Sequence, residues 1–362
     1  MRGISEKQAV ILFAIIIIAT KFQRFPSLIA QLFGRDGWLV ILLIAVVEFL
    51  FLFLLIKFFS RLNKKTIYQT FKEKYGVVGQ IFVALVLMVY FYLMCILTYK
   101  SNHEFFAKTL FDKLPWEFYS IILIFLLFIM ANGGINAIGR TSELLSVAIG
   151  FGLFFAIVLG LVDANFVRLL PVLDVDIKQF GQDIIKMIPW FGDFMYLLPL
   201  FGFVRVGEGN GKKFGRSMVL TYVISSVVVI LFYAVFYCLN GNLSIFQSSG
   251  LSSITQYTLI GLGIGRPDWF LVLFAFLATI LCTAYTAWAF TYAMSKLFNI
   301  KMKWWIIVIG LVLLYVGDVF LLPNIEVAIN FYENYVSIFM LITNIILPLV
   351  FIASSKRRTA ND

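Results

Sequence analysis

The chain has 362 residues, of which 62% are hydrophobic and 13% are charged. Because a soluble domain averages about 25% charged residues and long uncharged runs recur along this chain, the composition excludes a soluble protein and predicts an integral membrane protein. The net charge of +10 lies mainly in short segments between the apolar runs, which is typical of membrane topology rather than of a nucleic-acid groove. We therefore expect the lipid bilayer as a partner and no nucleic acid.

Residue types that hold metals or perform covalent catalysis are sparse. The cysteines Cys95, Cys238 and Cys282 are far apart in the sequence, and His103 is the single histidine. No pair has metal-ligand spacing, and no nucleophile is accompanied by a recognisable base or elbow motif. The sequence accordingly predicts a protein that is not an enzyme and has neither a metal nor a cofactor.

The apolar runs predict about ten membrane-spanning helices and hence an all-α fold. They cover residues 8–33, 37–60, 78–103, 117–134, 141–163, 184–204, 214–239, 268–297, 303–322 and 331–353. If the N-terminus is cytoplasmic, the inner segments hold more than twice as many Lys and Arg residues as the outer segments. The positive-inside rule therefore predicts that both termini are cytoplasmic.

The first span carries two cations and a proline near its middle. Its leading apolar run, residues 9–20, reaches only about 18 Å at about 1.5 Å per residue, whereas the hydrocarbon core is about 30 Å thick. The span must continue to Phe33, which places Lys21, Arg24 and Pro26 near the bilayer midplane. Buried cations beside a helix breaker are costly in lipid and indicate a functional site. The alternative is that the segment lies shallow and both cations reach an interface.

Span 6 contains a second interruption at residues 196–202, which include Pro199 and Gly202. When the ten spans are divided into two groups of five, the two broken spans are the first of each group. Because each group has an odd number of spans, the second group has the opposite orientation in the membrane. Paired broken helices are typical of an inverted-repeat transporter with its site between them. The alternative is that Pro199 only kinks a packed helix. The predicted single transmembrane domain, 1–362, comprises repeat one at about 6–163, an external loop at 164–183 and repeat two at about 184–353.

Acidic residues within the spans are candidate partners for the buried cations. Glu48, in the middle of span 2, is the predicted charge partner of Lys21 or Arg24. The alternative is a buried carboxylate with purely structural hydrogen bonds. Asp193 lies near the predicted outer end of span 6, and we expect it to be solvated.

Other polar residues have a functional and a structural interpretation. Thr283 belongs to a polar stripe on span 8 and is a candidate ligand contact, although such hydroxyls often bond a carbonyl of the preceding turn. Tyr90 on span 3 is a candidate to close over a ligand, with aromatic packing as the alternative. Arg140 and Glu143 are three residues apart at a helix start, and we expect them to pair with each other.

Several short motifs occur in an order that one family of membrane proteins shares. They are Phe25-Pro26, Gly34-Arg35-Asp36-Gly37-Trp38, Arg140-Thr141-Ser142-Glu143-Leu144-Leu145, Leu169-Leu170-Pro171-Val172-Leu173, Trp190-Phe191-Gly192-Asp193 and Arg266-Pro267-Asp268. Over nearly its whole length the chain resembles the B subunit of spore germinant receptors, a branch of the amino acid–polyamine–organocation transporter superfamily. The resemblance implies ten helices in a LeuT-like fold, an inverted repeat of five plus five helices with helices 1 and 6 broken.

The resemblance also implies a function, which is recognition of a small germinant, commonly an amino acid, and signalling of germination. It implies a membrane A subunit and a lipoprotein C subunit as partners and the spore inner membrane as the location. The chain departs from the family at residues 21–25, where family members tend to have a small, glycine-containing sequence. Lys21 there is able to replace a coupling cation or to pair with an anionic ligand. The alternative function is a free-standing secondary permease for amino acids or organic cations.

The candidate substrate-binding residues belong to the two breaks and to the spans beside them. They are Thr20, Lys21, Phe22, Gln23, Arg24, Tyr90, Tyr196, Leu197, Leu198 and Thr283.

Overall fold

The computed structural model describes residues 3–59, 65–105, 116–172, 177–207, 211–247, 249–260, 268–321 and 325–356, which are almost entirely helical. Its α-helices are α1 (Glu6–Ala19), α2 (Phe25–Phe33), α3 (Gly37–Phe59), α4 (Ile67–Phe105), α5 (Trp116–Asp163), α6 (Ile177–Met187), α7 (Leu197–Leu200), α8 (Gly211–Asn240), α9 (Gly250–Ile260), α10 (Asp268–Leu297), α11 (Trp304–Val316), α12 (Ile325–Phe331) and α13 (Ser337–Lys356). Two short strands are β1 (Ile4–Ser5) and β2 (Val204–Arg205). Leu173 of the fourth family motif and residues 266 and 267 of the last lie outside the described ranges.

Six stretches of the described helices are long and apolar enough to cross a membrane. They are Phe25–Lys57, Ile67–Phe105, Glu117–Asp163, Gly211–Phe246, Val272–Leu297 and Glu326–Phe351, and Trp304–Phe320 is a shorter apolar helix. The chain is therefore a multi-pass membrane protein. The predicted spans 1 and 6 do not appear as single long helices because both are interrupted, and the predicted spans 4 and 5 appear as one stretch.

The first break lies between α1 and α2, as the sequence predicts. Helix α1 begins with a capping box in which the side chains of Ser5 and Gln8 accept hydrogen bonds from each other's backbone N–H groups. It ends before Thr20, and α2 starts with Pro26 in its first turn, where the missing N–H of proline costs no helical hydrogen bond. Residues 20–24 between the helices therefore keep backbone groups free for other partners.

The second break lies earlier in the chain than predicted. Non-helical backbone occurs at Phe191 and Gly192, where Gly192 has a φ of 101°, and again after Leu200. The predicted interruption at 196–202 is wrong for its first part, because Leu197–Leu200 forms one helical turn that contains Pro199. Proline is tolerated in such a short turn because the first backbone N–H groups of a helix have no intrahelical acceptor.

Helix α5 divides at Gly134. Its 48 residues would extend over about 72 Å as a straight helix, which is more than twice the thickness of the hydrocarbon core. Gly134 has a φ of 68°, a backbone conformation that residues with a Cβ atom rarely adopt. The break separates two spanning segments at the boundary that the sequence predicts between spans 4 and 5.

Strands β1 and β2 form a two-stranded parallel ladder at the predicted cytoplasmic end. Ile4 pairs with Val204 and Ser5 with Arg205, and the N–H of Ile4 also donates to the Phe203 carbonyl at 2.9 Å. The start of α1 is thereby joined to the chain that follows the second break. We call this pair of strands the inner latch.

Helix α10 forms the centre of the bundle and packs against α4 and α5. Its buried alanines, among them Ala284, Ala287 and Ala293, let neighbouring backbones approach closely, as is usual where helices pack in membranes. Trp288 and Tyr285 are fully buried beside the second break, where the Tyr285 hydroxyl donates to the Tyr196 carbonyl. The helix therefore supports the region in which both breaks meet.

Candidate functional site

A buried ion pair joins the two breaks. The Lys21 ammonium lies 2.7 Å from each carboxylate oxygen of Asp193, and both side chains are only 3% exposed. Lys21 comes from the break between α1 and α2, and Asp193 directly follows the second break. The prediction that Asp193 is solvated is wrong, because the chain is unwound at Gly192 and the carboxylate points into the interior rather than along a continuous span.

Glu48 binds the backbone of the second break and does not form an ion pair with Lys21 or Arg24. Its Oε1 atom accepts hydrogen bonds from the N–H groups of Gly192 and Asp193, the latter at 2.9 Å. Its Oε2 atom lies 3.0 Å from the Tyr222 hydroxyl. Glu48 therefore has the hydrogen bonds of the structural alternative, while the nearest carboxylates of Lys21 and Arg24 come from other residues. Lipid cannot satisfy the N–H groups of an unwound segment, so Glu48 supplies their acceptor.

Arg24 has its own partner at the other end of the first break. Its guanidinium lies 3.1 and 3.3 Å from the two carboxylate oxygens of Glu104 on α4, and both side chains are partly buried. The two cations that the sequence groups together thus have separate counter-charges, Asp193 for Lys21 and Glu104 for Arg24. The interior placement of Lys21 differs from the alternative in which both cations reach an interface.

A network of uncharged polar side chains lies beside these ion pairs. The Gln23 amide donates to Thr279 on α10 at 3.3 Å, and the Asn102 amide of α4 donates to the Thr283 hydroxyl at 2.8 Å. The Thr279 hydroxyl also donates to the Asn102 carbonyl oxygen. Thr283 in turn donates to the carbonyl of Thr279 in the preceding turn at 2.9 Å, as the structural alternative predicts. Four buried residues therefore connect the first break to α4 and α10.

A small cavity lies where the two breaks, α4 and α10 meet. Its polar lining residues are Thr20, Gln23, Asp193, Tyr196 and Thr279, together with hydroxyls of α4. Apolar walls come from Met94, Leu97, Trp190 and Phe191. The centres of water molecules can occupy about 20 Å³ of it, which is room for about one ordered water. The cavity is therefore closed around its polar groups in this conformation.

The predicted site residues divide into two groups. Thr20, Gln23 and Tyr196 line the cavity. The others lie outside the set of residues that line it: Lys21, Phe22, Arg24, Tyr90, Leu197, Leu198 and Thr283. Phe22 packs edge-on against Phe232 at 4.0 Å between ring centroids. The cavity residue Thr279 was detectable from its spacing to Thr283, whereas Asn102 and Trp190 gave no sequence signal for a site.

Two further acids, Glu143 and Asp318, form ion pairs with lysines. Glu143 pairs with Lys7 at 2.9 Å and accepts a hydrogen bond from Gln8 at 3.0 Å, so the expected pair of Arg140 with Glu143 is wrong. Helix α1 packs against α5, which brings Lys7 and Gln8 of its first turns to Glu143. Asp318, in a π-helical turn after α11, pairs with Lys100 at 3.0 Å.

The comparisons with known proteins agree with this architecture. The family model for spore germination proteins, the spore permease family, matches residues 3–323. A mutant manganese transporter of Eremococcus coleocola superposes with a TM-score of 0.62 at 11% identity, over 98% of this chain and 82% of the transporter. A Na⁺-coupled sialic acid symporter in a substrate-bound, outward-open state superposes with a TM-score of 0.60 at 10% identity, over 93% of this chain and 79% of the symporter.

No curated protein sequence matches the chain significantly. The structural neighbours are transporters of the LeuT-like fold, which confirms the predicted all-α inverted-repeat fold with broken helices 1 and 6. The family and these neighbours are permeases and transporters rather than enzymes. The family model covers most of the sequence, from the inner latch to the end of the turn after α11. The chain therefore belongs to the spore germination protein family and is a transporter-like membrane protein.

Proposed function

We propose that this protein is the transporter-like subunit of a spore germinant receptor and that it recognises a small germinant, an amino acid, in the cavity between the two breaks. The observation that carries the proposal is the meeting of both breaks with a buried carboxylate and uncharged hydrogen-bonding groups in one cavity. In transporter folds of this kind the substrate lies where the broken helices face each other.

The chemistry of the cavity suits a zwitterion with a small side chain. The Asp193 carboxylate is an acceptor for an ammonium group. The Gln23 amide and the Thr20 and Thr279 hydroxyls would donate to a ligand carboxylate after releasing their present acceptors within the protein. The apolar wall around Trp190 offers a surface for the side chain of the ligand. Lys21 already occupies Asp193, so a ligand ammonium would compete with an internal cation.

The small volume of the cavity connects binding to a change of conformation. Room for about one water cannot hold an amino acid, so binding requires the walls or the Lys21 side chain to move. A ligand that fits only the rearranged form shifts the population toward that form. Such a shift is what a receptor subunit would transmit to a membrane A subunit and a lipoprotein C subunit in the spore inner membrane, the partners and the location that we propose.

Thermal unfolding of the purified protein with a panel of single amino acids tests the proposal. We expect at least one amino acid to raise the Tm of the wild type and of Gln31→Leu, a control in α2 whose side chain is exposed. Gln23→Leu should lose that response because the cavity loses its amide donor. An equal response in Gln23→Leu, or none in the wild type, would contradict the proposal. Accumulation of the same amino acid in proteoliposomes would favour the alternative, a secondary permease.

A further inference from the structure

A groove of about 590 Å³ lies at the predicted cytoplasmic end, away from the cavity between the breaks. It is bounded by the inner latch on one side and by the Gly134 break of α5 on the other. Its polar lining residues are Ser5, Gln8, Asn136, Arg140 and Arg205, and the rest of its lining consists of small residues. Two cations and three uncharged polar side chains in one groove are unusual in a chain that is 62% hydrophobic.

Among the residues that the structure describes, no carboxylate pairs with either arginine. Both Arg140 and Arg205 are exposed. The acid nearest to Arg140 in sequence is Glu143, which Lys7 neutralises at 2.9 Å and Gln8 binds at 3.0 Å. The positive charge of the groove is therefore available to an anion from outside the chain.

The position of Arg140 relates the groove to the lipid surface. Leu144, Val147 and Phe151 follow it at i+4, i+7 and i+11 and therefore share its helix face. They are 78%, 80% and 53% exposed, as expected of side chains that contact acyl chains. Arg140 thus stands where a lipid-facing stripe ends and a polar groove begins, the depth at which phospholipid headgroups lie.

We propose that this groove binds the phosphate group of an anionic phospholipid through Arg140 and Arg205. Guanidinium groups bind phosphate oxygens in pairs of parallel hydrogen bonds, and cations on the cytoplasmic side attract anionic lipids. A free phosphate offers the same chemistry, but the stripe below Arg140 favours a ligand with acyl chains. Because Arg205 belongs to β2 and Arg140 to α5, the bound headgroup connects the inner latch to α5 and stabilises the closed inner end.

Binding to the protein in neutral detergent tests this site independently of any germinant. Phosphatidylglycerol, phosphatidylcholine and inorganic phosphate are titrated separately, with lipid binding counted by native mass spectrometry and the Tm followed in parallel. The variants are Arg140→Gln, Arg205→Gln and the double variant. Arg216→Gln, an exposed cation near the start of α8 that does not line the groove, is the matched control. Because the two groove arginines are exposed and make no ion pair with a described residue, their variants should fold.

We expect phosphatidylglycerol to bind the wild type and Arg216→Gln and to raise their Tm. Each groove variant should bind about tenfold more weakly, the loss that one charge-assisted hydrogen-bond pair represents. The double variant should bind phosphatidylglycerol no better than the wild type binds phosphatidylcholine. Equal phosphatidylglycerol binding in the double variant and the wild type would overturn the site. A Tm increase with inorganic phosphate that matches the increase with phosphatidylglycerol would overturn the lipid as its ligand.

Discussion

At the scale of single residues, three charged side chains control the junction of the two breaks. Lys21 and Asp193 neutralise each other, and Glu48 accepts hydrogen bonds from the backbone N–H groups of Gly192 and Asp193 while remaining within electrostatic range of Lys21. A buried ion pair adds little net stability, but the loss of one partner leaves an uncompensated charge. Removing Lys21 and removing Asp193 are not equivalent, because the Glu48 carboxylate remains in both variants.

We predict that Lys21→Met is more destabilising than Asp193→Asn. The first variant leaves two buried carboxylates without a cation, whereas the second leaves Lys21 with Glu48 as a counter-charge. Lys21→Met should lower the free energy of unfolding by about 3–5 kcal/mol, and the double variant should recover part of the loss. Thermal unfolding in detergent measures the order of stabilities.

The control for this prediction is Lys7→Met, which breaks the exposed pair with Glu143 and should lower the Tm far less than Lys21→Met does. If Asp193→Asn were the less stable variant, the result would contradict the claim that Glu48 compensates the charge of Lys21.

The sequence predicted a buried cation at Lys21 but not its partner. A positively charged residue followed by Pro26 inside an apolar run can be recognised from the sequence alone. The depth of Asp193 is not, because it depends on where span 6 unwinds. With a continuous helix the carboxylate would lie near the outer surface, so Glu48 was the better candidate on position alone.

At the scale of elements, Gly192 rather than Pro199 creates the second break. A Cβ atom on Gly192 would lie 2.6 Å from the Asn344 amide nitrogen and 2.8 Å from the Tyr90 hydroxyl oxygen. Its φ of 101° is also one that other residues rarely adopt. Pro199 signals an irregular segment in the sequence, but its backbone remains helical. A proline is easily recognised in a sequence, whereas the conformation of a glycine is set by its tertiary neighbours.

We predict that Gly192→Ala disrupts the junction, because the added methyl group has no space and the backbone is strained. Gly150→Ala in α5 is the matched control, since its backbone is helical and no described heavy atom beyond its chain neighbours and its own helix backbone lies within 4 Å of the added Cβ. Gly150→Ala should be neutral or stabilising by up to about 1 kcal/mol. The Tm values of the two purified variants provide the test, and a Gly192→Ala protein as stable as the wild type would refute the role assigned to this glycine.

At the scale of the whole molecule, the positive-inside bias predicts the orientation of the bundle. The native cysteines Cys95, Cys238 and Cys282 are buried, so new cysteines can be labelled selectively. Leu243 follows α8 on the predicted outer side and is exposed, and Lys301 is exposed between α10 and α11 on the predicted inner side.

We predict that Leu243→Cys reacts with an impermeant maleimide added to intact cells and that Lys301→Cys reacts only after the membrane is permeabilised. The measurement is the labelled fraction before and after permeabilisation. The reverse pattern would invert the topology and place the latch and the arginine groove on the outer side.

The overall fold was predictable to a large extent because its signals are local. Apolar length, breakers and loop charges each occupy a short stretch, and the resemblance of ordered motifs supplied the rest. The closed cavity was less predictable, since it depends on contacts between α4, α10 and both breaks. Gln23 and Thr279, for example, are distant in sequence and meet only in the folded bundle.

The inner latch consists of backbone hydrogen bonds. Peptide N–H and C=O groups are the same in every residue except proline, which lacks the N–H. The hydrogen bonds at Ile4 and Val204 are therefore made by backbone groups, although both side chains are buried in the core and the adjoining Gly3 has no room for a Cβ atom. An alanine scan would report the burial of the Ile4 and Val204 side chains rather than these hydrogen bonds. The pairing of β1 with β2 is therefore recognised from the backbone conformation and not from a sequence motif.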